Sequence, residues 1–284
     1  MSTPTVQRRR LASELRKLRE AADLTMEQAA GEVKLSKSTL SRIENGQVGV
    51  QPRTVAALLK LYGVADADAA GLVQLARDAR QHGWWYDYTG TMPKWFAGYV
   101  AFEDEATELK IYDIQLVNGL FQTPDYARAM IRAHFPEEPT DKIEERVELR
   151  MARQKILERA DPTRIWVVID EAALARPIGG PEVMTAQLRR LADASQLPTV
   201  TIQVLPFSQG AHAGMGVGFT IMEFAPATDP SVVYLENLSG ALFLDRDYHV
   251  RTHGLAFDHL RATALSPADS TTLLRVRAEA IADE

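Results

Sequence analysis

The sequence predicts an all-α unit of five short helices over residues 1–83, followed by a larger α+β domain with a mixed or antiparallel sheet over residues 84–284. Three observations lead there. Between Arg8 and Arg80 apolar residues recur at helical spacing, broken by turn residues, with no strand-like alternation. At Gly83-Trp84-Trp85-Tyr86 the composition shifts abruptly to clustered aromatics that end at Tyr99, and the boundary is placed there. Beyond it, β-branched and aromatic runs alternate with helix-like segments. A chain of 284 residues is long enough for two cores.

In the first unit, Leu11, Leu15 and Leu18 space one apolar face of a helix that stops near Asp23-Leu24. Thr25 offers an N-cap hydroxyl to a second helix, Met26 to Val33, and Ser36 does so for a third, Lys37 to Glu44, closed by Asn45-Gly46. Pro52 suits the first turn of a fourth helix, where its missing N–H goes unused, and Leu58, Leu59 and Tyr62 give that helix its apolar face. A fifth runs from about Asp66 to Arg80. In the larger domain the strand candidates are Leu109–Val117, Arg164–Asp170, Thr199–Leu205, Gly218–Phe224 and Ser231–Leu235. Helices are expected over Lys94–Glu105, Pro124–Ala133, Asp141–Ala160, Glu182–Ala194, Tyr248–Ala264 and Pro267–Ala282. The sheet order cannot be read from these segments.

Charge divides along the chain. Residues 1–83 hold 13 Lys and Arg against 9 Asp and Glu, a balance of +4, while residues 84–284 hold 19 against 29, a balance of −10; together they give the net −6. An acidic partner therefore suits the first unit only. The chain has no cysteine, which excludes disulfides, thiolate nucleophiles and cysteine zinc sites. Six scattered histidines supply no convergent catalytic or metal set, so neither an enzyme nor a bound cofactor or metal is expected. No apolar run approaches the roughly 20 residues of a membrane-spanning helix, and no signal-peptide core follows Met1–Arg10, so a cytoplasmic address away from membranes is expected.

The most informative run is Leu24 to Gly46. Small Ala29 and Ala30 permit close helix contact, and Val33, Leu35, Leu40 and Ile43 supply apolar contacts that lock two helices across a short turn. Lys37, Ser38, Ser41 and Arg42 are left facing outward. Long or hydroxylated donors near a helix N-terminus are what a helix in the major groove needs to reach base edges.

Over about residues 8–80 the sequence resembles the XRE family of helix-turn-helix regulators, the family of the λ and 434 phage repressors and Cro. The likeness rests on L-R-K-L-R-E-A-A-D-L, on S-x-S-T-L-S-R-I-E-N-G and on A-L-L-K-L-Y-G-V. It implies that Lys37, Ser38 and Arg42 read bases in double-stranded DNA, with Thr39 and Ser41 at a base or the adjacent phosphate. It further implies that Thr25, Asn45, Arg53 and Thr54 hold the phosphate backbone. Arg19 and Glu44 would form an ion pair between the first and third helices that fixes geometry. Met26 stands where family members often carry a supporting Gln. One such unit makes few base contacts, so a homodimer on a partly palindromic operator is expected.

The larger domain resembles a C-terminal domain of unknown function common in actinomycete XRE regulators. V-N-G-L-F-Q-T-P-D-Y-A-R-A at Val117–Ala129, R-x-x-R-Q-K-I-L at Arg150–Leu157, I-G-G-P-E-V-M-x-x-Q-L at Ile178–Leu188, V-T-I-Q-V-L-P-F at Val200–Phe207 and V-V-Y-L-E-N at Val232–Asn237 carry the likeness. It implies a sensor of a small-molecule effector or of a small partner protein encoded nearby, with no catalytic residues. The alternative it leaves open is an antitoxin-like protein that sequesters such a partner while regulating its own promoter.

Other features carry less. The loop S-Q-G-A-H-A-G-M-G-V-G around His212 reads as a long hairpin connection, because phosphate-cradling loops normally precede a helix. His249 and His253 read as a solvated helix face, and Asp170 and Glu171 as an acid and base or as a helix cap. Trp84, Trp85, Tyr86, Trp95, Phe96 and Tyr99 read as core packing or as a ligand or interface cluster.

Overall fold

The computed structural model describes residues 6–79, 83–88, 90–225 and 230–282. By their contacts the residues form two units, Met1–Glu105 and Ala106–Glu284, called here the head and the body.

In the head, α1 (Val6–Ala21), α2 (Met26–Glu32), α3 (Lys37–Glu44), α4 (Pro52–Leu61) and α5 (Asp66–Asp78) follow the five expected helices. Arg80, the expected end of the fifth, lies outside the described residues. Leu11, Leu15, Leu40, Val55, Leu58 and Leu59 are all but fully buried and form the core these helices share. Each of the first four helices ends on the same cap. The N–H groups of Leu24, Leu35, Gln47 and Val64 reach back to the carbonyls of Arg19, Ala30, Arg42 and Leu59, at 2.8–3.2 Å. The residue before each donor is left-handed: Asp23 (φ 52°), Lys34 (φ 56°), Gly46 (φ 66°) and Gly63 (φ 74°).

Residues 84–105, which the sequence groups with the larger domain, fall within the head by contact. A short 3-10 turn (Trp84–Tyr88) precedes α6 (Lys94–Glu105), and Trp84 Nε1 donates to Asp104 Oδ1 at 2.8 Å. The Arg9 guanidinium of α1 lies 5.6 Å from the centre of the Phe102 ring of α6. These contacts tie α6 to the helices before it.

The body is built on one mixed six-stranded sheet, ordered β3-β2-β1-β4-β5-β6. Its strands are β1 (Glu108–Asp113), β2 (Arg164–Asp170), β3 (Val200–Leu205), β4 (Phe219–Glu223), β5 (Val232–Asn237) and β6 (Gly240–Leu244). β1, β2 and β3 run parallel, with Ile111 opposite Val167 and Val167 opposite Ile202. β4 pairs antiparallel with β1, and β5 and β6 continue as antiparallel neighbours. The parallel connections carry α7 (Pro124–His134) and α8 (Thr140–Arg153), then α9 (Glu171–Ala175) and α10 (Pro181–Ala194); α11 (Asp247–Thr263) and α12 (Pro267–Ala282) follow the sheet. Tyr112, Val168, Phe219, Ile221 and Val233 meet Phe257 and Leu260 of α11 on one face. Ile111, Val167, Ile202 and Val232, which alternate with them, are just as deeply buried on the other.

Several expected elements shift. The strand expected over 109–117 ends at Asp113, and the helix expected over 141–160 gives way after Arg153 to a 3-10 turn, Gln154–Leu157. β6, only five residues long, had no counterpart in the sequence reading, and α9, equally short, entered it only through the helix-cap reading of Asp170 and Glu171. The glycine-rich segment is not a hairpin connection, since β3 and β4 are separated by β2 and β1. It crosses the carboxyl ends of those strands, where Gly214 sits so close to the Tyr112 ring that an added Cβ would come within 2.4 Å.

Candidate nucleic-acid interface

The geometry of α2, the turn and α3 follows from local chemistry. Thr25 closes a capping box: its hydroxyl accepts from Gln28 N at 3.3 Å, and Gln28 Oε1 accepts from Thr25 N at 2.9 Å. Ala29 and Ala30 are buried in the core that also holds Leu40 and Ile43, with Val33 and Leu35 packed against it. Four residues separate the helices, turned by left-handed Lys34 and ended by Ser36, whose hydroxyl accepts from Thr39 N at 3.0 Å. Ser36 Oγ also bonds the hydroxyls of Ser38 at 2.9 Å and Thr39 at 2.8 Å, so three hydroxyls gather at the start of α3.

With Leu40, Ile43 and Glu44 buried, α3 presents Lys37, Ser38, Arg42 and Asn45 to solvent, with Thr39 and Ser41 half-buried. Ser38 and Arg42 lie one turn apart on one stripe, Lys37 and Ser41 on the next. Asn45 Nδ2 donates to Ser41 Oγ at 3.4 Å. Lys37 Nζ lies 3.5 Å from Glu27 Oε2, a fully hydrated pair that holds the ammonium only loosely. Arg53 is exposed and Thr54 half-buried in the first turn of α4, whose N-cap Gln51 makes no side-chain capping bond.

Arg19 and Glu44 meet inside the head. Nε and Nη2 of Arg19 donate to the Glu44 carboxylate at 2.9 and 3.0 Å, and Nη1 donates to the Leu24 carbonyl at 2.8 Å. One guanidinium thus joins the end of α1, the entry to α2 and the end of α3. The Glu44 hydrogen bond holds Arg19 above its usual range against desolvation. Tyr62, read from sequence only as part of an apolar face, has a buried hydroxyl with no hydrogen-bond partner. Burial first, and then the Glu44 charge, push its phenol up to about 12.

Within the aromatic cluster two sets of ring contacts stand out among the described residues. Trp84 lies edge-on to Trp85 and Tyr88, each at 6.1 Å, while Phe96 stacks on Tyr99 at 5.6 Å with Trp95 edge-on at 5.8 Å. Tyr99 is buried, and Tyr86 stands 52% exposed.

The body's sequence candidates take structural partners. Asp170 Oδ1 caps α9 through Ala172 N at 2.9 Å, and Glu171 accepts from Phe207 N at 2.7 Å while pairing with Arg277. Tyr112 OH donates to Asp170 Oδ2 at 3.3 Å, and His212 Nε2 lies 3.7 Å from the same oxygen. His212, Gln209, Ala211, Ala213, His259 and Thr263 line an open hollow of about 350 Å³. His253 Nδ1 contacts the His249 carbonyl at 2.8 Å, and among the described residues no group of three or more potential ligands could hold a metal.

Six of the motif residues, four of them through their side chains, meet in one network missed at the level of sequence. Arg150 donates to Gln122 Oε1, Gln154 to the Gln122 carbonyl, Gln122 Nε2 to the Val117 carbonyl and Gln187 Nε2 to the Phe121 carbonyl, all at 2.6–2.8 Å. Gly119 is needed there, because an added Cβ would come within 2.8 Å of the Arg150 side chain. Glutamines spaced far apart along the chain give no local signal of such a meeting.

Capped helices crossing at a four-residue turn, with donors along the outer face of the second, define a helix-turn-helix DNA-binding regulator. The helix-turn-helix domain family matches residues 10–72. The family described as "Domain of unknown function (DUF5753)" matches residues 96–276, more than half of the chain, and the chain belongs to that family. Neither a curated protein nor a solved structure is detectably similar to it. Among the described residues no helix is long and apolar enough to cross a membrane.

Proposed function

We propose that the protein is an XRE-type regulator that reads an operator as a homodimer, with α3 in the major groove and the body sensing a small-molecule effector or a small protein partner. The observation that carries this reading is the exposed row Lys37, Ser38, Arg42 and Asn45 on α3, backed by a buried face that fixes the helix in place. Lys37, Ser38 and Arg42 are the base readers, Arg42 able to form two bonds to guanine O6 and N7. Thr39 and Ser41 contact a base or the adjoining phosphate.

Asn45, Arg53 and Thr54 hold phosphates. The first turn of α4 adds backbone N–H groups and the positive end of a helix dipole to the Arg53 charge. Thr25 reaches a phosphate from the start of α2; its hydroxyl also donates to Gln28 Oε1 at 2.8 Å, and this bond must then be exchanged. Ser38 likewise exchanges its bond to Ser36 for a base edge. Dimerisation supplies the second half-site that a single short recognition helix needs.

Mapping bound genomic sites supplies an operator duplex, and sedimentation of its saturated complex is expected to give two chains per duplex. One chain per duplex would refute the dimeric reading, and equal affinity for unrelated duplexes would refute base reading by α3.

A further inference from the structure

The segment that crosses from β3 to β4 is held by close packing at the carboxyl end of β1. A Cβ on Gly214 would come within 2.4 Å of the Tyr112 ring, and one on Gly218 within 2.8 Å of the Tyr112 carbonyl oxygen. Gly210 and Gly216 turn the segment at φ 66° and 119°. Gly214 N donates to His212 Nδ1 at 3.2 Å, which leaves the proton of a neutral ring on Nε2, and Tyr112 lies edge-on to that ring. The hollow beside His212 thus has two walls: Gln209, Ala211 and Ala213 stand on this segment, and His259 and Thr263, one turn apart, on α11. Open sheets with parallel strands take ligands outside the carboxyl ends, where the chain reverses the direction in which it adds strands. Here β2 and β3 add to one side of β1 and β4 to the other.

The charges around the hollow have one sign. No lysine or arginine lines it. Asp170 Oδ2 lies 3.7 Å from His212 Nε2, beyond hydrogen-bond length, and accepts from Tyr112 OH at 3.3 Å. The Asp170 side chain is 14% exposed, and among the described residues no lysine or arginine pairs with it, whereas neighbouring Glu171 has Arg277. α11 ends at Thr263, bringing the negative end of its dipole to the same place. Arg261 of that last turn is held by Asp258 and lies over the Trp166 ring. A cation is drawn to such a site and an anion repelled. The side chains of Gln209 and His259 are exposed and make no hydrogen bond among the described residues, which leaves an amide oxygen and an imidazole nitrogen to accept from a ligand. The two alanine methyls and the imidazole rings give it an apolar body to rest against.

We infer that this hollow is the body's effector site and takes a small organic amine in its ammonium form, the charge drawn by Asp170 and its N–H groups accepted by Gln209 and His259. Its volume of about 350 Å³ lies at the small end for ligand sites and suits a single ring with a short amine arm. The inference rests on the sensing role proposed above for the body and names the class of its ligand.

Phenethylamine tests it on the full-length protein, with phenethyl alcohol as the uncharged counterpart and phenylacetate as the anion, at pH 8, where free imidazoles are neutral. Calorimetry is expected to show the amine binding at least about threefold more tightly than the alcohol, with no uptake of the anion. NMR resonances of His212 and His259 should shift on binding while that of His134 stays in place. Asp170→Asn removes the charge, keeps an oxygen for the α9 cap, and should reduce the amine's affinity to that of the alcohol. Ala211→Trp, at an exposed position on the crossing segment, should fill the hollow and abolish uptake of both. Tighter binding of phenylacetate than of the amine, or no shift at His212 and His259 with any of the three at about 10 mM, overturns the site and leaves the sensing role standing. Amine that binds at these residues yet leaves operator affinity unchanged supports the site and overturns its part in sensing.

Discussion

The α3–α4 surface of the head and the helices and sheet of the body treat their positive charges differently. In the body several are matched by carboxylates: Arg128 is held by Glu144 and Asp125, Arg146 by Glu138, Arg164 by Glu108, Lys110 by Glu223 and Arg277 by Glu171. In the head Arg42 and Arg53 stand exposed and make no ion pair among the described residues, and Lys37 has only the hydrated contact with Glu27. Arg19 is buried against Glu44, and Arg16 and Lys17 pair with Glu20 and Glu14 along α1. A chain of net charge −6 can thus present a basic surface, because what matters to a polyanion is which cations the fold leaves unmatched. The head buries Arg19 to shape itself and leaves Arg42 and Arg53 exposed on the α3–α4 side.

The sharpest way to break this contrast is to remove the buried cation. Arg19→Ala leaves Glu44 buried with no counter-charge and frees the Leu24 carbonyl, and the expected loss is about 3–5 kcal/mol of head stability. Urea unfolding of the full chain measures it. The double variant Arg19→Met with Glu44→Leu should recover most of the loss, since the shape of the pair can be kept without its charges. A single variant as stable as the wild type would mean that α1, α2 and α3 are held by their apolar faces alone.

Next in size are the exposed cations, whose loss should leave stability alone and weaken DNA binding. On the proposed reading, Arg42→Ala costs on the order of 1–3 kcal/mol of operator affinity and relaxes base preference. Arg53→Ala should weaken binding evenly across sequences and reduce the salt dependence by about one counterion. Binding-site selection with each variant separates the two. An unchanged base profile for Arg42→Ala would remove α3 from the reading role.

The difference between the units also governs how much of each was legible in the sequence. The head's helices, caps and outward row are local: Thr25, Ser36 and Asn45-Gly46 act within a few residues of where they stand. The Arg19–Glu44 pair spans 25 positions, and it entered through family likeness, not spacing. Tyr62 was read for its ring, and nothing in its neighbours along the chain brings its hydroxyl beside that pair. In the body, the strands were visible as apolar runs, but Glu108 pairs with Arg164 across two helices, and no run records its partner. The loop through His212 misled for the same reason, because a hairpin and a crossover look alike until strand order is known.

A third test concerns the body's own buried charge. Asp113 Oδ2 is shut off from water without a partner, and burial raises the carboxyl from 3.8 to about 7, with Asn118 partly opposing the shift. A carboxyl raised in the folded state binds its proton more tightly there than when unfolded. Its contribution is therefore most favourable below about pH 4 and is lost as pH rises through 7. Asp113→Asn keeps the shape and should flatten this part of the stability profile, gaining about 1–2 kcal/mol at pH 8. A profile that keeps its slope would assign the titration to another group.

The smallest expected effect tests whether the head's turn is shaped for stability or for its surface. Lys34 holds a left-handed φ of 56° at the cap position that Gly46 and Gly63 fill after α3 and α4. A side chain there is strained, and Lys34→Gly should stabilise the head by up to about 1 kcal/mol, less than the full strain because glycine also loosens the unfolded chain. Thermal unfolding and operator titration together give the test. If the variant is more stable but binds operator DNA more weakly, the strain is tolerated because it sets an exposed ammonium just ahead of α3. If it gains stability and binds equally well, Lys34 does no more than fill a turn. A loss of stability would mean that contacts of the lysine stem outweigh the strain, and the resemblance among the four caps would then be geometric only.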